Sequence, residues 1–429
     1  MNLKKILFLV VTVALYGCSS SSDDGNIPIS NDDEPQFISI TSDKLEIELG
    51  ETVTLTVTDD EDNDITSQST ILVDGTSISG NTFSPTNLGV YEIEATYLTV
   101  SSNIISITAN QPITLSSIDI MLSEPAIYIG STVTFSATAV YSDNSTIDKT
   151  SESEFYVNDV LISGNEYIGN QEGTIEVKAE FESTISSTVQ FQVVDPSSLP
   201  TSFSKKGVIE DFTGTWCGWC PRVSYAASLV EDQTDKVFFV GIHNGDSMAN
   251  SFGSQMENEY AIGGWPTAYI NRSTEWSYPE PNHVNQALNG ASGSVNVGLA
   301  VQSTLNGSTL QMTISTGFLE NMTDVKLVVF VLEDGIIANQ SNYTSYYGGG
   351  TVISNFEHNG VLRYAATNVL GNTTNSTLGI HEQSFTVNLN SYGVFLPSNT
   401  GVLAMLVNET GRVLLNAQYA PVNQTQNFD

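Results

Sequence analysis

Two cysteines close together are the residues of this sequence best suited to chemistry. Cys217 and Cys220 are separated by Gly218 and Trp219, where a predicted strand passes into a predicted helix. The free N–H groups in the first turn of a helix stabilise a thiolate, the form that attacks a disulfide. A second cysteine one turn later is placed to resolve the mixed disulfide. The spacing predicts a redox-active pair, with Cys217 as nucleophile and Cys220 as resolving residue.

Two other interpretations of the cysteine pair stay open: it forms half of a zinc site, or it forms a purely structural disulfide. A zinc site needs two further ligands. The remaining cysteine, Cys18, lies in a predicted export signal, and the four histidines are scattered along the chain: His243, His283, His358 and His381. We therefore predict no metal site at the pair and no cofactor. One pair is also too few for a disulfide-stapled scaffold.

The segments around the cysteines alternate between strand and helix. After Cys220, apolar residues recur at i, i+3, i+4 and i+7, which indicates one face of a helix. Asp246 is the predicted N-cap of the next helix. This order predicts a partly parallel sheet. The predicted strands cover residues 208–212, 237–242 and 267–270; the helices carry Val223, Ala226, Ala227 and Val230, then Met248, Phe252, Met256 and Tyr260, then residues 283–288.

Residues 210–221, EDFTGTWCGWCP, resemble the active site of thioredoxins. Trp216 stands directly before the first cysteine, and Asp211 lies six residues before it, where thioredoxins carry a buried aspartate. Residues 264–267, GWPT, resemble the loop whose cis-proline faces the cysteines. The resemblance implies an α/β thioredoxin-like domain over residues 201–290.

The same resemblance implies roles for individual residues. Trp216 belongs to the catalytic group, and Trp265, Pro266 and Thr267 bind substrate, with a cis Trp265–Pro266 bond beside which a client peptide pairs as an added strand. The implied clients are protein thiols and disulfides. The Gly-Trp dipeptide between the cysteines differs from that of reducing thioredoxins and of strong oxidants, so the redox direction stays open.

Asp211 is the predicted proton acceptor for Cys220. Side chains alternate along a strand, so Asp211 and Glu210 are expected on opposite faces. If Asp211 points inward, burial raises its pKa and it can take the proton of Cys220; the alternative places Glu210 inward. Arg222 either lowers the pKa of Cys217 or is a solvated helix residue, and His243 is a further candidate neighbour.

A wider resemblance covers the chain from about residue 204 to the C-terminus. Residues 356–363, FEHNGVLR, are similar to a stretch in Bacteroidetes outer-membrane lipoproteins of the twenty-eight-kilodalton outer-membrane-protein type. Those proteins carry a thioredoxin-like domain followed by a β-sandwich. The resemblance implies a C-terminal β-sandwich over residues 291–429.

The N-terminus predicts export and a lipid anchor. Residues 6–15 form an apolar run that is too short to span a bilayer, and it ends in Leu15-Tyr16-Gly17-Cys18, which resembles a lipobox. Residues 1–17 are therefore the predicted signal peptide, Cys18 the acylated first residue, and the Ser- and Asp-rich residues 18–35 a flexible tether. The predicted location is the outer membrane, with the body facing outward.

Residues 36–112 and 113–197 form a predicted tandem repeat. Residues 49–54, LGETVT, correspond to 129–134, IGSTVT, and short Val-, Ile- and Thr-rich runs alternate with turn residues in both. The pattern is typical of two all-β Ig-like sandwiches. We interpret them as spacers; a glycan- or partner-binding role is the alternative.

The net charge of −35 disfavours nucleic acid as a partner. Most of this charge is interpreted as a solubilising surface. The alternative is a calcium site at one acidic loop, because carboxylate oxygens are preferred ligands of Ca²⁺. This loop carries Asp59, Asp60, Glu61, Asp62 and Asp64.

Together these features predict a multidomain outer-membrane lipoprotein with thiol-disulfide oxidoreductase activity. The alternative is a non-enzymatic surface binding or adhesion protein in which the two cysteines form a permanent clip. A structural disulfide and a catalytic one differ in reduction potential, which separates the two hypotheses.

Overall fold

The computed structural model describes residues 35–429. These residues divide into two compact units, one ending at Thr114 and the other running from Leu115 to Asp429. The predicted signal peptide, Cys18 and the tether up to residue 34 lie outside the described residues. Between residues 35 and 429, no helix is long and apolar enough to cross a membrane.

The first unit is a β-sandwich. Alternation along β3 buries Val53, Leu55 and Val57, which pack against Ile93 and Ile107 of the opposite sheet in one core. One sheet has the order β1-β3-β6 and the other β2-β9-β7-β4-β5, with β8 beside β7. The strands are β1 Ile38–Ser42, β2 Glu46–Glu48, β3 Val53–Asp59, β4 Thr70–Val73, β5 Thr76–Ser77, β6 Thr82–Phe83, β7 Gly89–Tyr97, β8 Val100–Ser101 and β9 Ile105–Asn110.

The second unit begins with a sandwich of the same design. Its sheets have the orders β10-β12-β13, with β16 on β12, and β11-β19-β17-β14-β15, with β18 on β17. The short β11 pairs in parallel with β19, as β2 does with β9 in the first unit. The strands are β10 Leu115–Leu122, β11 Ala126–Tyr128, β12 Thr132–Tyr141, β13 Thr146–Asp148, β14 Glu154–Val157, β15 Val160–Leu161, β16 Glu166–Ile168, β17 Gly173–Phe181, β18 Thr184–Ile185 and β19 Val189–Val194.

The rest of the second unit contains the cysteine pair and the helices. The strands are β20 Phe203–Ser204, β21 Gly207–Thr213, β22 Val237–His243, β23 Thr267–Ile270, β24 Thr274–Glu275, β25 Ser294–Val295, β26 Val297–Asn306, β27 Thr309–Phe318, β28 Val325–Glu333, β29 Ile336–Ser341, β30 Val352–His358, β31 Val361–Ala365, β32 Asn372–Thr373, β33 Gly379–Asn388, β34 Thr400–Asn408, β35 Leu414–Pro421 and β36 Thr425–Gln426. The helices are α1 Pro221–Glu231, α2 Ser251–Glu259 and α3 Val284–Gly290, with short 3-10 turns at Thr66–Gln68, Pro196–Ser198, Glu280–Asn282, Leu389–Tyr392 and Pro397–Asn399.

The predicted separate α/β thioredoxin-like domain is wrong. Strands from residues 201–290 and from residues 291–429 join one nine-stranded sheet of order β24-β23-β21-β22-β31-β28-β34-β35, with β32 on β28. The junction is the pairing of β22 with β31, where Gly241 N–H donates to the Gly360 carbonyl at 2.8 Å. Strands make up 49% of the described chain, and helices together with the 3-10 turns make up 11%. The molecule is therefore nearly all-β, with several β-sandwich layers.

The central strands of this sheet are covered on both faces. Alternate residues of β28 enter two different cores: Val329 and Val331 pack against the four-stranded sheet β33-β27-β26-β36, while Val328 and Phe330 pack toward α2. The near-continuous apolar sequence of β28 follows from this double burial. Strand β21 is also covered on both faces, since all seven of its residues are buried.

Two details of the helices correct the sequence-based expectations. The second helix begins at Ser251, and Asn250 is its N-cap: the Asn250 carboxamide oxygen accepts from the N–H groups of Phe252 and Gly253. Asp246 is therefore not the N-cap. Met248, which was expected on this helix, lies before its first residue and is fully buried. The helix after Cys220 and the strand at residues 267–270 are confirmed.

Candidate functional site

Cys217 and Cys220 form a disulfide at the junction of β21 and α1. The loop after β21 turns tightly, because Cys217 N–H donates to the Gly214 carbonyl at 3.0 Å and Cys220 N–H to the Cys217 carbonyl at 3.3 Å. Pro221 is the first residue of α1, where its missing N–H costs no helical hydrogen bond.

The end of β29 lies across this loop and is hydrogen-bonded to it. Ser341 N–H donates to the Thr215 carbonyl at 2.8 Å, and Tyr343 N–H donates to the Gly218 carbonyl at 2.7 Å. The buried Gln340 side chain donates to the carbonyls of Gly214 and Cys217, at 3.2 and 2.9 Å. We call residues 340–343 the covering segment. Its position is a tertiary feature that neither cysteine spacing nor strand alternation signals.

The sulfur-bearing residues are buried, whereas the tryptophans beside them are exposed. Cys217 is 4% and Cys220 1% exposed, but Trp216 is 47% and Trp219 51% exposed. The Trp219 ring packs edge-on against Tyr343 at 5.8 Å between centroids. What this site presents to solvent is therefore aromatic surface and not sulfur.

The Trp265–Pro266 bond is cis, as predicted. The Trp265 ring lies 5.6 Å from that of Trp216, centroid to centroid, and its indole N–H donates to Glu257 at 3.3 Å. Thr267 begins β23 and pairs with Phe212 of β21. The substrate-binding role of residues 265–267 stays a prediction, as does the catalytic role of Trp216, whose indole N–H donates to the Asn244 carbonyl at 2.7 Å.

Asp211 is fully buried, and so is Glu210 beside it. The expectation that only one of them points inward is wrong, because both faces of β21 are covered. Glu210 accepts from Tyr260 at 3.0 Å and pairs with Arg272 at 3.5 Å. Within residues 35–429, by contrast, neither carboxyl oxygen of Asp211 has a hydrogen-bond partner.

Burial raises the pKa of Asp211 well above its usual value, and the nearby charge of Glu280 adds to this, while the charge of Arg222 opposes it. The raised pKa agrees with the sequence-based expectation. The proton transfer from Cys220 stays a prediction.

Arg222 is not a solvated helix residue, which corrects one of its two expected roles; its effect on the pKa of Cys217 stays a prediction. It forms a two-point ion pair with Glu280 of the Glu280–Asn282 turn, and its guanidinium lies 4.6 Å from the centroid of the Tyr278 ring. Both members of the pair are largely buried. The partner Glu280 comes from a distant part of the sequence, so spacing could not reveal it.

His243 at the end of β22 belongs to a small buried cluster. Its Nδ1 lies 2.7 Å from Asp246 Oδ2, and its ring lies 5.1 Å from that of His358. Burial opposes the charge of Asp246, but the hydrogen bond and charge of His243 prevail and lower the pKa of Asp246 to about 2. Burial, aided by His243, lowers the pKa of His358 to about 4, so its imidazole is neutral at pH 7. The FEHNGVLR resemblance was the one sequence signal that pointed to His358.

The predicted calcium loop uses its carboxylates to build its own turn. Asp59 accepts from the N–H groups of Glu61 and Asn63, at 3.0 and 2.8 Å, and Asp64 accepts from Thr66 N–H at 2.9 Å. Across residues 35–429, no three His, Cys, Asp or Glu side chains are grouped so as to hold a metal ion.

With this geometry in place, the chain can be compared with known proteins. Residues 253–426 match the family model described as outer membrane protein Omp28. The match includes the covering segment and begins after the cysteines. It indicates an outer membrane protein. No curated protein sequence matches the chain.

The chain is also similar to parts of several solved structures. HBP35 of Porphyromonas gingivalis is 19% identical with a TM-score of 0.42, over 52% of this chain and 77% of that one. The fibronectin(III)-like modules of Clostridium thermocellum CbhA are 18% identical with a TM-score of 0.17, over 36% and 93%. The Yersinia pseudotuberculosis adhesin InvE is 14% identical with a TM-score of 0.14, over 38% and 60%.

Proposed function

We propose that this chain is a non-enzymatic binding protein of the outer membrane, anchored through an acylated Cys18 with its body facing outward. The observation that carries the binding role is the contrast at the disulfide: the cysteines are buried and the aromatic side chains around them are exposed. Burial of both cysteines limits access of an attacking thiolate to the sulfurs, whereas the exposed rings are available to a partner.

The contact surface in this proposal is the aromatic surface, defined as Trp216, Trp219, Tyr278, Tyr343 and Tyr346. All five rings are exposed. Tryptophan, tyrosine and arginine are the residues that contribute most to protein–protein binding, because they bury large areas with few rotatable bonds. Exposed aromatic groups in such a cluster mark an interaction site.

Side chains of the aromatic surface are held in place by contacts with the rest of the protein, which lowers the conformational-entropy cost of binding a partner. The Trp216 indole N–H is fixed to Asn244, and Tyr346 stacks on Tyr225 at 4.7 Å between centroids. A depression of about 460 Å³ lies among Trp219, Tyr278, Tyr343 and Tyr346. Grooves lined by aromatic rings accept extended polypeptides, so the proposed partner is an extended segment of another protein.

The experiment is a binding screen of the full chain against an array of unstructured peptides, followed by variants. The double variant Trp219→Ala/Tyr343→Ala should lose at least tenfold in affinity for the selected peptides. Phe37→Ala, which removes an exposed ring in the first unit, is the matched control and should bind normally. Equal binding by the double variant and the wild type would refute the aromatic surface as the contact site.

The anchor is tested separately. Labelling with a palmitate analogue should be lost in Cys18→Ala, and protease added to intact cells should degrade the wild-type body. Retained labelling in Cys18→Ala would overturn the anchor, and full protection from protease would overturn the outward orientation.

Thiol-disulfide exchange is the second candidate function. The observation in its favour is the buried, unpartnered Asp211 on the strand that leads to Cys217. It requires the covering segment to leave the disulfide. Reduction of insulin by the wild type, abolished in Cys217→Ser, would establish it; peptide binding unchanged in Cys217→Ser/Cys220→Ser would support the non-enzymatic function.

A further inference from the structure

A cavity of about 430 Å³ lies beside the covering segment and is separate from the aromatic surface. The buried side chains of Asp211, His243 and His358 line it, and so do the exposed carboxylates of Glu231 and Glu357. The buried groups form its inner wall, and the exposed ones stand toward solvent. A volume of this size suits a small molecule.

Two inner groups have hydrogen-bonding capacity that the chain leaves unused. Asp211 is 0% exposed and His358 6% exposed. Neither oxygen of Asp211, and not Nε2 of His358, has a partner within residues 35–429. Buried polar atoms without partners cost about 1–3 kcal/mol each. A bound molecule that supplies hydrogen-bond donors would remove that cost.

The charged groups of the cavity wall indicate which kind of ligand the cavity can bind. Three carboxyl groups line the cavity, from Asp211, Glu231 and Glu357, and no lysine or arginine of the described chain does so. The exposed carboxylates of Glu231 and Glu357 would repel an anionic ligand. A primary ammonium group carries one positive charge and three donors, which matches carboxylate and imidazole acceptors.

The remaining wall is aromatic. Phe239, Phe356 and Tyr347 present rings to the cavity. Such rings pack against methylene groups and also attract a cation that lies over their faces. The wall is therefore suited to an aliphatic chain that ends in an ammonium group.

We propose that this cavity binds a small aliphatic amine, whose ammonium group donates to Asp211 and His358 while its methylene chain packs on the aromatic rings. The exposed Glu231 and Glu357 draw the cation to the opening and would contact a second ammonium group of a diamine. This binding needs neither the disulfide nor the aromatic surface, so it can fail while the proposed function stands.

Isothermal titration calorimetry of the full chain tests the proposal, with cadaverine, pentylamine and 1,5-pentanediol as probes. The two amines should bind, cadaverine more tightly, and the diol at least tenfold more weakly than either. Asp211→Asn keeps the shape of the side chain but cannot carry a negative charge, and it should weaken amine binding at least tenfold. Asp119→Asn, an exposed aspartate of β10, is the matched control and should bind normally.

A second variant, which changes exposed side chains, tests the proposal even if Asp211→Asn fails to fold. Glu231→Gln/Glu357→Gln changes two exposed side chains and should reduce cadaverine affinity more than pentylamine affinity. Binding of the diol as tightly as the amines, or unchanged amine affinity in Asp211→Asn, would overturn the proposal.

Discussion

Asp211 and Glu210 are adjacent carboxyl groups on one strand, yet their surroundings differ. Glu210 lies next to Arg272 and the Tyr260 hydroxyl, which compensate its burial. Asp211 has no such partner within residues 35–429, and burial raises its pKa. The two neighbouring acids therefore differ in their partners, because only Glu210 lies beside a cation and a hydroxyl donor.

The stability of the protein should depend on pH through Asp211. A carboxyl group whose folded-state pKa is raised stabilises the fold at low pH, and this contribution is lost as pH rises through the folded pKa. From about pH 4 upward, Asp211→Asn should become progressively more stable than the wild type, by about 1–3 kcal/mol once Asp211 is ionised. Urea unfolding at pH 4 to 9 measures this, with Asp119→Asn as control; a difference that does not change with pH contradicts it.

Gly218 is required by its contact with the covering segment. A Cβ atom at this position would overlap the ring of Tyr343, whose backbone is tied to the Gly218 carbonyl. We expect Gly218→Ala to destabilise the second unit by about 1–3 kcal/mol. In a double-mutant cycle, Tyr343→Ala should relieve most of this loss; additive losses would show that the two residues do not meet.

At the scale of elements, the hairpin of β29 and β30 supplies the covering segment that is hydrogen-bonded to the cysteine loop. Gln340 is 3% exposed and its side-chain N–H groups donate to the carbonyls of Gly214, Cys217 and Ser341. These bonds hold the cysteine loop and the covering segment together. An isolated strand-loop-helix unit would leave the same disulfide open.

Gln340→Ala should release the covering segment locally. Removing these donors leaves buried carbonyls unpaired, which should cost about 2 kcal/mol of stability and speed reduction of the disulfide by dithiothreitol at least tenfold. The rate is followed by alkylation of the thiols as they appear. Gln302→Ala, on an exposed position of β26, is the control; equal reduction rates in the two variants would show that the segment does not protect the disulfide.

At the scale of the whole molecule, the nine-stranded sheet ties residues 201–290 to the C-terminal strands. The core that contains Val208, Phe212 and Val240 also contains Phe330 and Leu403 of β28 and β34. Further bonds tie the second sandwich to this body: Asn321 donates to Glu124 and to the Ala126 carbonyl, at 2.7 and 2.8 Å. The second unit is thus one continuous structure, which we expect to unfold cooperatively.

A fragment of residues 201–290 should therefore fail to fold, whereas residues 115–429 should fold without the first unit. The short fragment would expose the apolar face of β21 and β22 and an unpaired edge of β22. Circular dichroism and thermal unfolding of the two fragments decide this. A cooperative unfolding transition in the 201–290 fragment would show that these residues form an independent domain after all.

The sequence by itself determined the features that depend on near neighbours in the chain. Alternation indicated the two sandwiches, the i, i+3, i+4 pattern indicated α1, and the short apolar runs indicated β22 and β23. The GWPT stretch predicted the cis bond, and the position of Asp211 predicted its burial. In each case, the deciding residues stand within a few positions of one another.

Only the tertiary structure decided what lies over and beside the cysteines. The covering segment is more than 100 residues from Cys217 in the sequence, as are His358 from Asp211 and Gly360 from Gly241. Alternation on β21 could not place Glu210, because the rule assumes one solvent face and this strand has none. Local patterns indicate the secondary structure of a segment. Burial of a disulfide and continuity of a sheet depend instead on contacts between distant segments, which the periodicity of one segment does not determine.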